Sequence, residues 1–214
     1  EAGALFGRYP VAEYHFLLTL SDAIGNTGLE HLRCSINGVK ERALSDMDDI
    51  EPWVAYLLPH EYTHAWCGKW RRPAGMVTED FHQPERTTLL WVYEGLTQYL
   101  GDVLAARAGL VKPDDYKLGL VRDISSLASQ KGRRWRPLAD TATSSYLLRA
   151  GSESWGLHRR SQDYYDEGAL IWMEADALIR RETGEAKSLD DFCRAFLGAA
   201  RGGLQVSQHL ADLC

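Results

Sequence analysis

The feature that most limits how this chain can fold is the pentapeptide His60-Glu61-Tyr62-Thr63-His64. Side chains four apart share one face of a helix. A helix here therefore aims two imidazoles at one point, with the Glu61 carboxylate one residue along. Neutral imidazole is a good zinc ligand, and a carboxylate beside a metal-held water is the general base that hydrolysis needs. Taken alone, the pattern also fits a helix with two surface histidines. The segment 90–99, LWVYEGLTQY, narrows the choice, because it is apolar with one acid, Glu94, in its middle. An ionised carboxylate is rarely buried without a partner. A catalytic zinc takes three protein ligands and keeps one position open, and His60, His64 and Glu94 make such a set.

Length and composition agree with a domain of this kind. At 214 residues the chain suits one domain with a substantial core. A 45% hydrophobic and 25% charged make-up is that of an ordinary globular protein. Net charge is −6, which argues against nucleic acid as a partner. The basic run Lys69-Trp70-Arg71-Arg72 reads as a helix end or an internal ion-pair group. No run of about 18 apolar residues exists, so no membrane span is expected. Cys34, Cys67, Cys193 and Cys214 form no CxxC pair, which excludes a zinc ribbon. They also do not separate a cytoplasmic from a periplasmic setting.

Along the chain, residues 13–20 (EYHFLLTL) read as a buried strand and residues 29–36 (LEHLRCSI) as a second, ended by Asn37-Gly38. Residues 24–28 form a turn region and residues 46–50 an acidic loop. A helix is expected from Glu51-Pro52 to about Trp70, with Asp49 as N-cap. Pro59 falls inside it, so the helix either kinks there or begins later. Residues 71–86 read as a loop. Further helices are expected over 88–108, stopped by Gly109, over 113–131, and over 166–182, ended by Gly184. Residues 132–160 lack periodicity and should hold short helical turns. Ser188, with Asp191 three residues on, opens a last helix to about Ala200. The fold class is mainly α with a small N-terminal β-sheet: one domain over 1–214, strand-rich over 1–45 and helical over 46–214.

The stretches HEYTHAW, KWRRPAGM and LLWVYEGLTQYLGDVLAARAGL together resemble the glycyl aminopeptidase family of gluzincin metallopeptidases. FGRYPVAEYHFLLTLSD and GLEH precede them, and DYYDEGAL and SLDDFCRAF follow, so the resemblance covers most of the chain in order. It implies a thermolysin-like architecture in which a strand borders the cleft and the two ligand helices form its floor. It further implies zinc on His60, His64 and Glu94, with Glu61 as catalytic base, and hydrolysis of peptide substrates. Glu94 follows His64 by 30 positions, a spacing typical of that family. Members usually carry a β-rich domain before this region and a PDZ domain after it. The chain opens Glu-Ala-Gly-Ala without methionine, which points to a piece of a longer protein.

Residues beyond the metal set extend the expectation. In Gly28-Leu29-Glu30-His31, glycine allows close backbone approach, and Glu30 can meet a charged amino terminus. The alternative is a surface Glu-His pair on an edge strand, and the resemblance favours the functional role. A phenol near the metal can donate to an oxyanion. The family pattern of tyrosine, any residue, lysine, glycine selects Tyr165, with Tyr164 as competitor and Glu167 in the lysine's place. Cys67 shares the histidines' helical face and reads as packing, and Gln98 or Asp102 is expected to orient a histidine. His15, His82, His158 and His209 lack ligand spacing. The resulting expectation is a zinc aminopeptidase. Its alternatives are an endopeptidase of the same fold and a non-catalytic peptide-binding domain that keeps the metal.

Overall fold

A computed structural model describes residues 1–24, 26–45, 50, 52–80, 82–150 and 155–199. Their order is α1 (Ala2–Phe6), β1 (His15–Leu20), β2 (Thr27–Glu30), β3 (Cys34–Val39), α2 (Pro52–Thr63), α3 (Leu90–Arg107) and α4 (Pro113–Ser129). Then follow α5 (Leu138–Thr143), α6 (Ser145–Ala150), α7 (Gly156–Arg159), α8 (Asp166–Glu182) and α9 (Leu189–Phe192), which continues into a π-helical turn, Cys193–Leu197. The chain is mainly helical with a small three-stranded sheet near its N-terminus, as expected. Among the described residues no helix is long and apolar enough to cross a membrane.

The sheet departs from expectation in two ways. The strand read over 29–36 is a hairpin: β2 ends at Glu30, and β3 starts at Cys34 and carries Asn37-Gly38 inside it. The turn is closed by the His31 N–H donating to the Cys34 carbonyl at 2.9 Å. Asn37 is tolerated in the strand because its amide donates to the Ser35 carbonyl (3.2 Å) and Oγ (3.0 Å). β1, read as buried, is exposed along its whole length. It is an edge strand, paired in parallel with β3 only, and β2 forms the other edge antiparallel to β3. Leu17, Ile36 and Leu29 stand in one register row on the outer face. The inner face turns Gly28, Asn37 and Val39 toward α2, with Asn37 and Val39 fully buried.

α2 continues through Pro59, which itself donates no backbone hydrogen bond, so a later start is ruled out. A proline there costs roughly 3 kcal/mol against alanine, and burial of its ring offsets part of that. The Asp49 cap lies outside the described residues. The helix stops at Thr63 rather than near Trp70. Residues 64–71 make a tight turn in which the N–H groups of Lys69, Trp70 and Arg71 donate to the carbonyls of His64, Ala65 and Trp66. Gly68 permits it with φ of +131°, and a Cβ there would lie 2.6 Å from the Tyr93 ring.

α3 packs between α2 and α8. Glycines set both crossings. A Cβ on Gly101 would lie 2.9 Å from the His60 Cα, and one on Gly95 would lie 2.6 Å from the Gly168 Cα. α3 thereby carries Glu94 to α2, and the start of α8 to the same place. Behind it the core gathers Leu5, Phe6, Trp66, Leu96, Leu100 and Leu197, each almost fully buried, with Phe6 stacked on Trp66 at 4.2 Å. Each such side chain stabilises the fold by about 1.5–3 kcal/mol. The helices over 113–129 and 166–182 fall where expected, and the described part of 132–160 holds the short helices α5, α6 and α7. The last helix opens on the expected Ser188–Asp191 capping box but turns π-helical at Cys193.

Candidate metal centre and cleft

Three donor atoms converge where α2 meets α3. His60 Nε2 and His64 Nε2 lie 3.1 Å apart, and Glu94 Oε2 lies 3.4 and 3.3 Å from them. A tetrahedral cation with bonds of about 2.0–2.1 Å has ligand atoms about 3.3 Å apart, which these separations match. His64 Nδ1 is 2.9 Å from the Cys67 carbonyl and donates to it, which leaves Nε2 facing the other donors. Burial lowers His64, but Glu94, Glu30 and Glu61 outweigh it and raise it. Glu94 Oε2 and His60 Nδ1 are buried without a hydrogen-bond partner. Burial favours a neutral Glu94, but His64 and His60 outweigh it and hold the carboxyl well below the usual range. Burial also pushes His60 down, toward the neutral form that ligates. His60, His64 and Glu94 can hold one metal ion.

Glu61 stands beside this set and is 5% exposed. Burial, aided by Glu30 and Glu94, raises its carboxyl to about 7, against the pull of His64 and Lys69. Its position is fixed by the sheet. A Cβ on Gly28 would overlap the Glu61 carboxyl, with Cδ at 2.5 Å, and would lie 2.8 Å from Leu57. Gly28→Ala should therefore push Glu61 aside and lower any turnover by at least tenfold while leaving metal content unchanged. Paired assays of rate and bound metal check this, and an unaltered rate would show that the close approach has no catalytic consequence.

Glu30 also reaches the site. One of its oxygens lies within 4.8 Å of donor atoms on Glu61 and His64. Its Oε1 accepts from the Tyr93 hydroxyl at 2.6 Å and pairs with Lys69 Nζ at 3.2 Å. Burial would raise its carboxyl, but His64, Lys69 and Tyr93 together lower it. The basic run is thus internal: Lys69 pairs with Glu30, Arg72 Nε donates to the Gly68 carbonyl at 2.9 Å, and Arg71 lies over the Phe196 ring.

Tyr165 lines an open cleft of about 460 Å³ together with Gly28, Trp53, Tyr56, His60 and Glu61. Its ring centre is 6.0 Å from that of His60. Tyr164 is buried behind it and accepts from Gln162 Nε2 at 3.3 Å. Glu167 turns away from the cleft to meet Arg133 at 3.1 Å and the buried Arg160. It serves as an ion-pair centre that ties Arg133 and Arg160 to α8.

The histidine-orienting expectation is corrected. Neither Gln98 nor Asp102 bonds a histidine; Gln98 Nε2 donates to Asp102 Oδ1 at 3.0 Å instead. The groups that face His64 Nδ1 are the Cys67 carbonyl and the buried Thr97, at 3.4 Å. No side-chain pattern marks a backbone carbonyl, although Thr97 on the face of Glu94 was a usable signal. The Cys67 thiol packs as expected. Burial pushes it up to about 12, so it stays protonated and donates to the Tyr93 carbonyl.

In this helical fold, three donor groups that can hold a metal ion converge beside a buried acid. The M61 glycyl aminopeptidase family model matches residues 53–171, and the chain belongs to this family of peptidases. Among solved structures, it is similar to an aminopeptidase N family protein from Idiomarina loihiensis, at 21% identity and a TM-score of 0.74. The match covers 98% of this chain and 39% of that one, and it establishes a shared fold. No curated protein sequence matches the chain.

Proposed function

We propose that the chain is the catalytic domain of a zinc-dependent aminopeptidase with thermolysin-like architecture, acting on peptides with a free amino terminus. The observation that carries this is the tetrahedral spacing of His60, His64 and Glu94 with Glu61 alongside. Family membership supports peptide-bond hydrolysis. Zinc at that point, when bound, supplies Lewis acidity and brings the pKa of a water it holds towards about 7. Glu61 takes the proton from the attacking water and passes it to the leaving amine. Tyr165 donates its hydroxyl to the carbonyl oxygen as charge develops. Glu30 accepts from the substrate's ammonium, and so restricts cleavage to the first peptide bond.

Elemental analysis of the purified chain should find about one zinc, and His64→Ala should abolish it. Full zinc occupancy after that change would overturn the ligand assignment. A panel of aminoacyl reporters with free and acetylated amino groups tests the specificity. Equal cleavage of both forms would make the protein an endopeptidase of the same fold.

A further inference from the structure

The carboxylate proposed to receive the substrate's ammonium is not free-standing. Glu30 sits at the end of β2, an edge strand, where a glutamate would ordinarily sample several rotamers and lose that freedom on being fixed. Two side chains from other elements meet its Oε1: the Tyr93 hydroxyl from α3 at 2.6 Å, and Lys69 Nζ from the turn after α2 at 3.2 Å. An ionised carboxylate has about four acceptor positions on two oxygens, so filling two on Oε1 leaves capacity for a ligand.

Both partners are placed by the metal-ligand elements themselves. Lys69 is held by its own N–H donating to the His64 carbonyl at 3.0 Å. Tyr93 precedes Glu94 in α3, and its ring packs on His64 at 4.8 Å. Gly68 lets the Lys69 turn pass against that ring. Glu30 is thus referenced to His64 and Glu94 through two short links, although it comes from the sheet.

We infer that Lys69 and Tyr93 are positioning residues that fix Glu30 at a set distance from the metal ligands, and so set the preference for substrates with a free amino terminus. This rests on the proposed role of Glu30 as ammonium acceptor. Lys69 is only 18% exposed at its side chain, so its pairing with Glu30 is less screened by solvent and salt than that of a surface ion pair. Removing it leaves Tyr93 alone on Oε1 and lets the carboxylate swing.

The test uses the zinc-loaded chain and two ligands, an aminoacyl hydroxamate and its des-amino analogue. Their affinities are measured by calorimetry, and the readout is the affinity ratio between them. Glu30→Ala should collapse that ratio to about one. Lys69→Met should lower it by about 10- to 100-fold, the range of a charge-assisted hydrogen bond, with zinc content and des-amino binding unchanged. Lys69→Arg should restore most of the ratio, because it keeps a cation at that point. Tyr93→Phe should lower the ratio in the same direction, and Lys69→Met should add nothing in the Glu30→Ala background. A Lys69→Met ratio equal to the parent's, with Glu30→Ala still collapsing it, would overturn the positioning role alone. An unchanged ratio in Glu30→Ala would overturn the ammonium role of Glu30 and this inference with it.

Discussion

Replacing Glu61 by glutamine should cut turnover by about 100- to 10,000-fold, the usual contribution of a positioned general base, and leave zinc content as in the parent. The amide has nearly the same shape and still fits against Gly28, where a Cβ would already collide. It cannot accept a proton from water. Rates on a free-amine reporter, measured beside metal content, give the result directly. A variant retaining more than about a tenth of parental rate would remove Glu61 from the proton transfer.

The same substitution has a signature without metal. Burial raises Glu61 to about 7 in the metal-free fold, against roughly 4.3 for an unfolded glutamate. Between those values the native state binds more protons than the unfolded one, so stability falls as pH rises. Glutamine removes that loss. The metal-free variant should therefore melt above the metal-free parent at pH 8 and close to it at pH 4. Coincident melting temperatures at both pH values would mean that Glu61 carries no buried-charge cost. A bound divalent cation supplies the missing positive charge, so the gap at pH 8 should narrow on adding zinc.

Much of the centre could be read from the chain because helix geometry does the placing. A spacing of four fixes two histidines on one face, and an acid among apolar residues needs a partner, which brings Glu94 to them. Gly28 could be recognised as a close approach, but only the fold identifies Glu61 as what it approaches. Four features escaped the sequence for physical reasons. The orienting acceptor for His64 is the carbonyl of Cys67, and every residue has a carbonyl. The end of α2 at Thr63 depends on Gly68 meeting Tyr93, a contact between distant segments. The hairpin inside 29–36 carries no glycine, proline or asparagine at its turn, only His31-Leu32-Arg33, so its apolar pattern passes for one strand. The pairing of Lys69 with Glu30 likewise joins a helix end to a sheet edge, and charge spacing along the chain cannot supply it.

Tyr165→Phe should lower kcat by about 100- to 1,000-fold, the cost of one lost oxyanion donor, or about 3–4 kcal/mol. KM should change far less, because the hydroxyl acts only once negative charge has developed on the carbonyl oxygen. Adjacent residues at a helix start point about 100° apart, so Tyr164 and Tyr165 cannot share the task. The fold divides them: Tyr165 opens on the cleft beside His60, whereas Tyr164 is 4% exposed and turned inward. The contact of Gly95 with Gly168 draws the start of α8 against α3 and so sets where Tyr165 stands. Tyr164→Phe is the internal control, with the ring retained and kcat within about threefold of the parent, since a buried neutral hydrogen bond contributes only about 0.5–1.5 kcal/mol. The reverse ranking would assign the oxyanion to Tyr164. No loss from either substitution would leave the metal as the sole electrophile.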